Sequence, residues 1–274
     1  MSERDGYQPG VPCWIDIWQP EPEEAASFYA ELFGWQVQDA TPSERLDRYF
    51  ICRLRGRDVA AVGSPPRAGA PSVPAWNTYV WVEGAEASVG KATRAGGRVV
   101  VEPFDSFDGG RMAVVGDPSG AVIGLWQPGS HRGAQLINEP GAWSWSGLNT
   151  RDPERSTAFY SAVFGWETET FDADGQEMVM WRVPGYLGGQ PEQPVARDVV
   201  AGMATMTADR FPDDARPHWA VDFWVDDVAA TAHRAPRLGG RVISGPFDTS
   251  VGTTAVLADP WEAAFTVSKV AATA

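Results

Sequence analysis

Two aspartates stand in strand-like alternation with tryptophan, as Trp14-Ile15-Asp16-Ile17-Trp18 and Asp222-Phe223-Trp224. Successive side chains of a strand point to opposite faces, so Trp14, Asp16 and Trp18 share one face, and Asp222 and Trp224 do likewise. A carboxylate among indoles can serve as a general base or hold a cation, while indole faces stack on flat rings and attract amines. The plainer role of an aspartate near a strand start is a turn or a local hydrogen bond. Asp16 and Asp222 are the candidate catalytic residues.

Other chemistries lack their residues. The histidines are His131, His218 and His233 and the cysteines Cys13 and Cys52, too few for a histidine-based iron or zinc site, a zinc quartet or a disulfide scaffold. Free thiols are expected. No serine or cysteine occupies a strand–elbow–helix context, which leaves a nucleophilic triad unsupported. Gly109-Gly110 and Gly239-Gly240 read as turn and helix-end glycines rather than a dinucleotide fingerprint.

The elements that must position these residues come twice. Trp14 to Trp35 recurs from Trp145 to Trp166, 131 residues later, with Pro22/Pro153, Phe28-Tyr29/Phe159-Tyr160 and Phe33-Gly34-Trp35/Phe164-Gly165-Trp166 in register. Further on, Trp76/Trp219, Trp81-Val82/Trp224-Val225, Gly97-Arg98-Val99/Gly240-Arg241-Val242 and Asp117-Pro118/Asp259-Pro260 repeat at offsets of 143 falling to 142. The spacing predicts domains at 8–127 and 140–270, joined by a Gly/Pro linker at 128–139. In each domain a strand (Cys13–Trp18) leads through Pro22 into a helix with a stripe of Phe28, Tyr29, Leu32 and Phe33 that Gly34 stops. Short strands follow, then a second strand (Asn77–Val82), a helix (Ala85–Ala95) and three more strands. The order is βαβββ, four times over.

The chain has 274 residues, enough for two domains, and a formal charge of −14, which disfavours nucleic acid and anionic membrane surfaces as partners. It shows no signal-peptide pattern and no apolar run long enough to span a bilayer, and a cytoplasmic location is expected. Its 13 tryptophans are more than a core requires.

Four βαβββ modules, the Phe-Tyr…Phe-Gly-Trp helix exit, the strand-to-helix steps at Val82–Ala85 and Val225–Val228, and Asp117-Pro118-Ser119-Gly120 before a last strand together resemble the vicinal oxygen chelate superfamily. This is the glyoxalase, bleomycin-resistance and dioxygenase group. The likeness is nearest to a two-domain actinobacterial subgroup labelled "hydroxylase", some of whose members lie in aromatic-polyketide antibiotic pathways. It implies an α+β fold of two tandem glyoxalase-like domains whose modules form concave mixed sheets. Modules could pair within each domain, or between the first domain's leading module and the second domain's trailing one.

In that superfamily, His, Glu or Gln ligands on paired modules face into the concave cup. The resemblance puts these places at Trp14 and Trp145, Asn77 and Ala220, Gly124 and Thr266, and near Val62; none suits a divalent ion, so no metal or other cofactor is expected. Strand alternation from the same places directs Trp14, Trp18, Trp81, Trp126, Trp143, Trp145 and Trp224 into the cups. Asp16, Asn77, Tyr79, Asp222 and a rim His218 complete the candidate ligand-binding set. Trp35, Trp76, Trp166 and Trp219 read as structural; Trp181 and Trp261 are unassigned.

An indole wall with a few polar groups suits a planar aromatic molecule, and the resemblance points to an anthracycline-like polyketide. The expected function is metal-independent binding or sequestration of such a metabolite, in antibiotic biosynthesis or self-resistance, with a pathway enzyme as a further partner. The alternatives are a glyoxalase-type lyase or isomerase, a cofactor-free hydroxylase, and cups filled solid by their own tryptophans.

Overall fold

The structure, a computed structural model, describes residues 2–42, 47–65, 74–106, 109–173, 176–188, 196–249 and 252–270. The first domain runs β1 (Pro12–Trp18), α1 (Pro22–Phe33), β2 (Gln36–Asp39), β3 (Tyr49–Leu54), β4 (Arg57–Gly63), then β5 (Trp76–Trp81), α2 (Ala85–Arg94), β6 (Arg98–Ser106), β7 (Gly110–Gly116) and β8 (Val122–Pro128). The second repeats this as β9 (Trp143–Thr150), α3 (Pro153–Phe164), β10 (Glu167–Ala173), β11 (Gln176–Arg182), β12 (Val199–Thr205), then β13 (His218–Trp224), α4 (Val228–Arg234), β14 (Arg241–Thr249), β15 (Gly252–Ala258) and β16 (Ala264–Val270). A 3-10 turn at Ala235–Leu238 extends α4, since Pro236 removes a backbone donor.

Each domain forms one eight-stranded mixed sheet, in the orders β2-β3-β4-β1-β5-β8-β7-β6 and β10-β11-β12-β9-β13-β16-β15-β14. The leading strands of the two modules meet antiparallel at the centre, β1 on β5 and β9 on β13, so modules pair within each domain. Among the described residues, no helix is long and apolar enough to cross a membrane.

The helix ends follow their sequence signals. Gly34 and Gly165 take left-handed φ values of 76° and 73° and end α1 and α3, and Asp152 caps α3 by accepting from the Arg155 N–H at 3.1 Å. The helical faces of the two sheets pack against each other through reciprocal contacts. Tyr29 of α1 donates to Asp259 at 2.9 Å and accepts from Trp76 Nε1; in the other half Trp219 Nε1 donates to Tyr160 of α3 at 2.8 Å, beside Asp117. A Cβ at Gly97 would stand 2.6 Å from Phe159, and one at Gly240 3.1 Å from Phe28. The repeated Gly-Arg-Val steps therefore begin with glycine because an aromatic ring of the other domain lies on each.

Trp35, Trp76, Trp166 and Trp219 all belong to this interdomain layer, as does Trp181, which is fully buried against Tyr160 and Trp166. Trp261 is half-buried, and its Nε1 donates to Glu21 of the other domain at 3.3 Å. The segment read as a Gly/Pro linker is not a loose tether. Ala134, Leu136 and Ile137 are buried, Ala134 N–H donates to Cys13 O, and Leu136 bridges to Glu3. Cys13 and Cys52 are free, buried thiols, and burial pushes the Cys52 thiol up to about 12.

Candidate functional site

The concave face of the first sheet is filled by its own side chains. Asp16 on β1 is buried and accepts from three neighbours: Asn77 Nδ2 at 2.8 Å, Tyr79 O–H at 3.0 Å and Tyr49 O–H at 3.2 Å. Trp14 Nε1 donates to the same Tyr49 oxygen at 3.3 Å. His131, from the segment between the domains, closes the cup: its ring packs edge-on at 4.3 Å from Trp14 and 5.5 Å from Trp126. Burial lowers the His131 pKa, which keeps the ring neutral, and raises that of Asp16 to about 6 against the pull of its donors.

The second sheet carries smaller residues at the matching positions. Strand pairing equates Asp16 with Gly147, Trp18 with Asn149, Tyr49 with Met178, Asn77 with Ala220, Tyr79 with Asp222 and Trp126 with Ser268. Space replaces the first cup's aromatic rings. A cavity of about 520 Å3 opens there, walled by Trp143, Trp145, Trp224, Met178 and Met180, with Asp222 and Ser268 among its polar groups. The first domain's N-terminal segment contributes Arg4, Tyr7, Val11 and Pro12 to the same wall.

Trp145 is set by two glycines. A Cβ at Gly202 would meet its ring at 2.9 Å and one at Gly147 would come within 3.4 Å, so the indole lies over this paired Gly-Gly step. Opposite Trp145 in the strand register is Asp222. Its Oδ2 accepts from Ser268 Oγ at 2.6 Å, whereas its Oδ1 is buried with no partner. Burial raises the Asp222 carboxyl to about 7, opposed by hydrogen bonds from Ser268 and the Phe223 N–H.

Of the residues the sequence singled out, Trp143, Trp145, Asp222 and Trp224 line the cavity. Trp14, Asp16, Asn77, Tyr79 and Trp126 come together in the first cup, where they satisfy one another. Trp18 and Trp81 are buried in the first domain, Trp81 beneath the Arg132 guanidinium. His218 is exposed at the start of β13, its Nδ1 on Arg216 O at 2.8 Å and its Nε2 near Asn149, away from the cavity. None of these eight lines the second cup's cavity: rings and hydrogen bonds of the protein surround the seven in the first domain, and His218 is exposed.

Sequence reasoning missed Ser268, Met178, Met180 and the Gly147–Gly202 pair. Carrying the repeat register to the last strand would have found Ser268, which stands where the first domain has Trp126.

The donor set does not fit a metal ion. Among the described residues no three His, Cys, Asp or Glu side chains converge. The second cup is lined by two carboxylates, Asp222 held by Ser268 and Glu169 paired with Arg182, and the first cup's Asp16 is already surrounded by donors.

Residues 13–125 match the glyoxalase/bleomycin resistance protein/dioxygenase superfamily, and residues 145–268 match a glyoxalase-like domain. The chain is 38% identical to CFP32 of Mycobacterium tuberculosis, provisionally named a glyoxylase, over 99% of both chains. It is 32% identical to the anthracycline biosynthesis protein DnrV of Streptomyces peucetius, over 95% of this chain and 94% of that one. In fold it resembles the Mn(II)-bound glyoxalase of Novosphingobium aromaticivorans (TM-score 0.61, 13% identity, 95% of this chain and 82% of that one). A similar likeness links it to the 2,3-dioxygenase LapB of Pseudomonas sp. KL28 (TM-score 0.61, 16% identity, 98% and 96%).

Proposed function

Starting from a chain that belongs to the glyoxalase/bleomycin resistance protein/dioxygenase superfamily, we propose that its second cup binds a planar aromatic metabolite without a metal ion. The class that fits is an anthracycline-like polyketide, held during antibiotic biosynthesis or self-resistance. The observation that carries this reading is the cavity of about 520 Å3 walled by Trp143, Trp145 and Trp224. Its volume lies within the roughly 300–1,000 Å3 of small-molecule sites, and each offset aromatic pair adds about 0.5–1.5 kcal/mol beyond burial. The methionines beside the indoles adapt to ring edges of varied shape. Similarity to DnrV, whose name places that protein in anthracycline biosynthesis, supports the ligand class.

Titration with a tetracyclic aromatic polyketide is expected to quench tryptophan emission, and Trp145→Ala to weaken binding about tenfold or more. Unchanged emission at micromolar protein with every planar polyketide tried would sink the proposal. Stoichiometric transition metal in the purified protein would overturn its metal-independent part.

One feature favours a second reading, acid–base turnover. Asp222 lines the cavity, and burial raises its carboxyl to about 7, where a general acid or base works best. Asp222→Asn separates the two: a binder loses affinity, whereas an enzyme keeps its ligand and loses product formation.

A further inference from the structure

The N-terminal segment of the first domain lies on the wall of the second domain's cavity, and its strand pairing decides which side chain turns that way. Ile137 N–H donates to Ser2 O and Arg4 N–H to Gln135 O, each at 3.0 Å, and Glu3 bridges Leu136 between them. Successive side chains of such a strand point to opposite sides. Glu3 pairs with Arg57 of the first domain at 3.1 Å, while Arg4 lines the second cup.

The Arg4 guanidinium stands among Tyr7, Tyr186 and Gly188, which line the same cavity. Its Nη2 donates to Gly188 O, and its charge opposes the upward push of burial on the Tyr7 and Tyr186 phenols. A Cβ at Gly188 would collide with the Tyr186 hydroxyl, so glycine lets that hydroxyl lie beside the guanidinium's anchor. The Tyr7 O–H is taken up by Ala134 O at 2.7 Å. Arg4 Nε is sealed off, but Arg4 Nη1 and the Tyr186 O–H remain accessible and have no partner among the described residues.

Elsewhere arginines hold carboxylates: Arg53 on Asp58, Arg111 on Glu86 and Asp105, Arg182 on Glu169 and Asp198, Arg241 on Glu262. Arg4 holds none among the described residues. Of the other charged side chains on the wall, Glu169 is neutralised by Arg182 and Lys269 turns its ammonium to Asp226 O at 2.7 Å. Asp222, raised to about 7, is held by Ser268 and is about half protonated near neutral pH. The full unpaired charge on the described wall is therefore the guanidinium.

We propose that this end of the second cup is an anion subsite, in which Arg4 Nη1 and the Tyr186 O–H take a carboxylate carried at the edge of the aromatic ligand. It rests on the aromatic-binding reading above and narrows the ligand class to aromatic acids. A carboxylate accepts from both donors, and its bonds to a guanidinium are charge-assisted and stronger than neutral ones. The indoles take the rings, and the first domain's N-terminal segment reads the acid. An ester of the same acid keeps the ring surface and loses the charge.

The test uses pyrene-1-carboxylate, its methyl ester and 1-pyrenemethylamine, followed by calorimetry and by energy transfer from tryptophan. It is run on the full chain and on Arg4→Gln, Arg4→Lys and Tyr186→Phe. The acid is expected to bind the unsubstituted protein about tenfold or more tightly than the ester, the effect of one hydrogen bond to a charged group, and the amine most weakly. In each variant the reading is the ratio of acid to ester affinity, which a general loosening of the cup does not produce. Arg4→Gln is expected to bring that ratio near one, Arg4→Lys to keep part of it, and Tyr186→Phe to lower it severalfold. Where urea denaturation shows Arg4→Gln to be unfolded, Tyr186→Phe and the three probes on the unsubstituted chain decide. Equal affinity for acid and ester, or tighter binding of the amine, overturns the anion subsite while leaving aromatic binding intact. So does an acid preference that survives Arg4→Gln or Tyr186→Phe at full strength. Binding of none of the three probes removes aromatic binding and the subsite together.

Discussion

The two concave faces share strand order, register and the tryptophan pairs Trp14/Trp145 and Trp81/Trp224, yet one is a solid core and the other a cavity. Six paired positions make the difference. The first domain puts Asp, Trp, Tyr, Asn, Tyr and Trp where the second puts Gly, Asn, Met, Ala, Asp and Ser. A duplicated fold supports either outcome because the sheet is held from its other side, by the interdomain layer around Tyr29 and Tyr160. The face away from that layer is free to be packed or left open. One copy can therefore supply stability while the other supplies a site.

The largest way to break that contrast is to empty the first cup. Tyr79→Ala removes a buried ring and an Asp16 donor, and is expected to destabilise the fold by about 3–5 kcal/mol in urea denaturation. Trp224→Ala, on the open wall, should cost far less because that ring already meets the cavity. Similar losses from the two substitutions would show that the second cup is structural too.

The next contrast is in pH. Asp222 and Asp16 have folded-state carboxyls raised to about 7 and about 6, so between about pH 4 and those values the folded chain holds more protons than the unfolded one. Stability should therefore fall as pH rises through this window, by several kcal/mol, since each tenfold change in proton affinity is worth about 1.4 kcal/mol. Asp222→Asn should flatten the upper part of the fall in a denaturation series and leave the part belonging to Asp16. A profile of the variant identical to that of the original chain would contradict the burial of Asp222.

Smaller still is a test of what the copies share. Tyr29→Phe and Tyr160→Phe each remove an interdomain hydroxyl, and each is expected to lower stability by about 1–2 kcal/mol. Equal effects would support the equivalence of the helical layers, and a large inequality would break it. Gly202→Ala should leave stability within about 1–3 kcal/mol of the original, the usual range for overpacking, while displacing Trp145 and weakening aromatic quenching.

Much of this architecture could be read along the chain. Pro22, Gly34 and the Phe28/Tyr29/Leu32/Phe33 stripe specify α1 locally, and the second copy at Asp152–Gly165 confirms the pattern. Alternation correctly placed Trp76 and Trp219 on the helical side, where tyrosine hydroxyls accept their N–H groups. It also put Asp16 and Asp222 on concave faces, but did not tell them apart. Their difference depends on neighbours contributed by other strands, Tyr49 from β3 and Tyr79 from β5 in one case and Ser268 from β16 in the other. His131 shows the same limit: a histidine in a Gly/Pro stretch gives no local sign that it will fill a cup 117 positions from Trp14.

What the sequence by itself determined, then, is the duplicated βαβββ order and the sheet face of Asp16, Asp222, Trp76 and Trp219, because helix ends, strand alternation and the repeat are properties of neighbouring residues. Which cup is open was decided only by the tertiary structure. Openness depends on the summed volume and the donors of six side chains from four strands, and those meet only once the sheet has set its register.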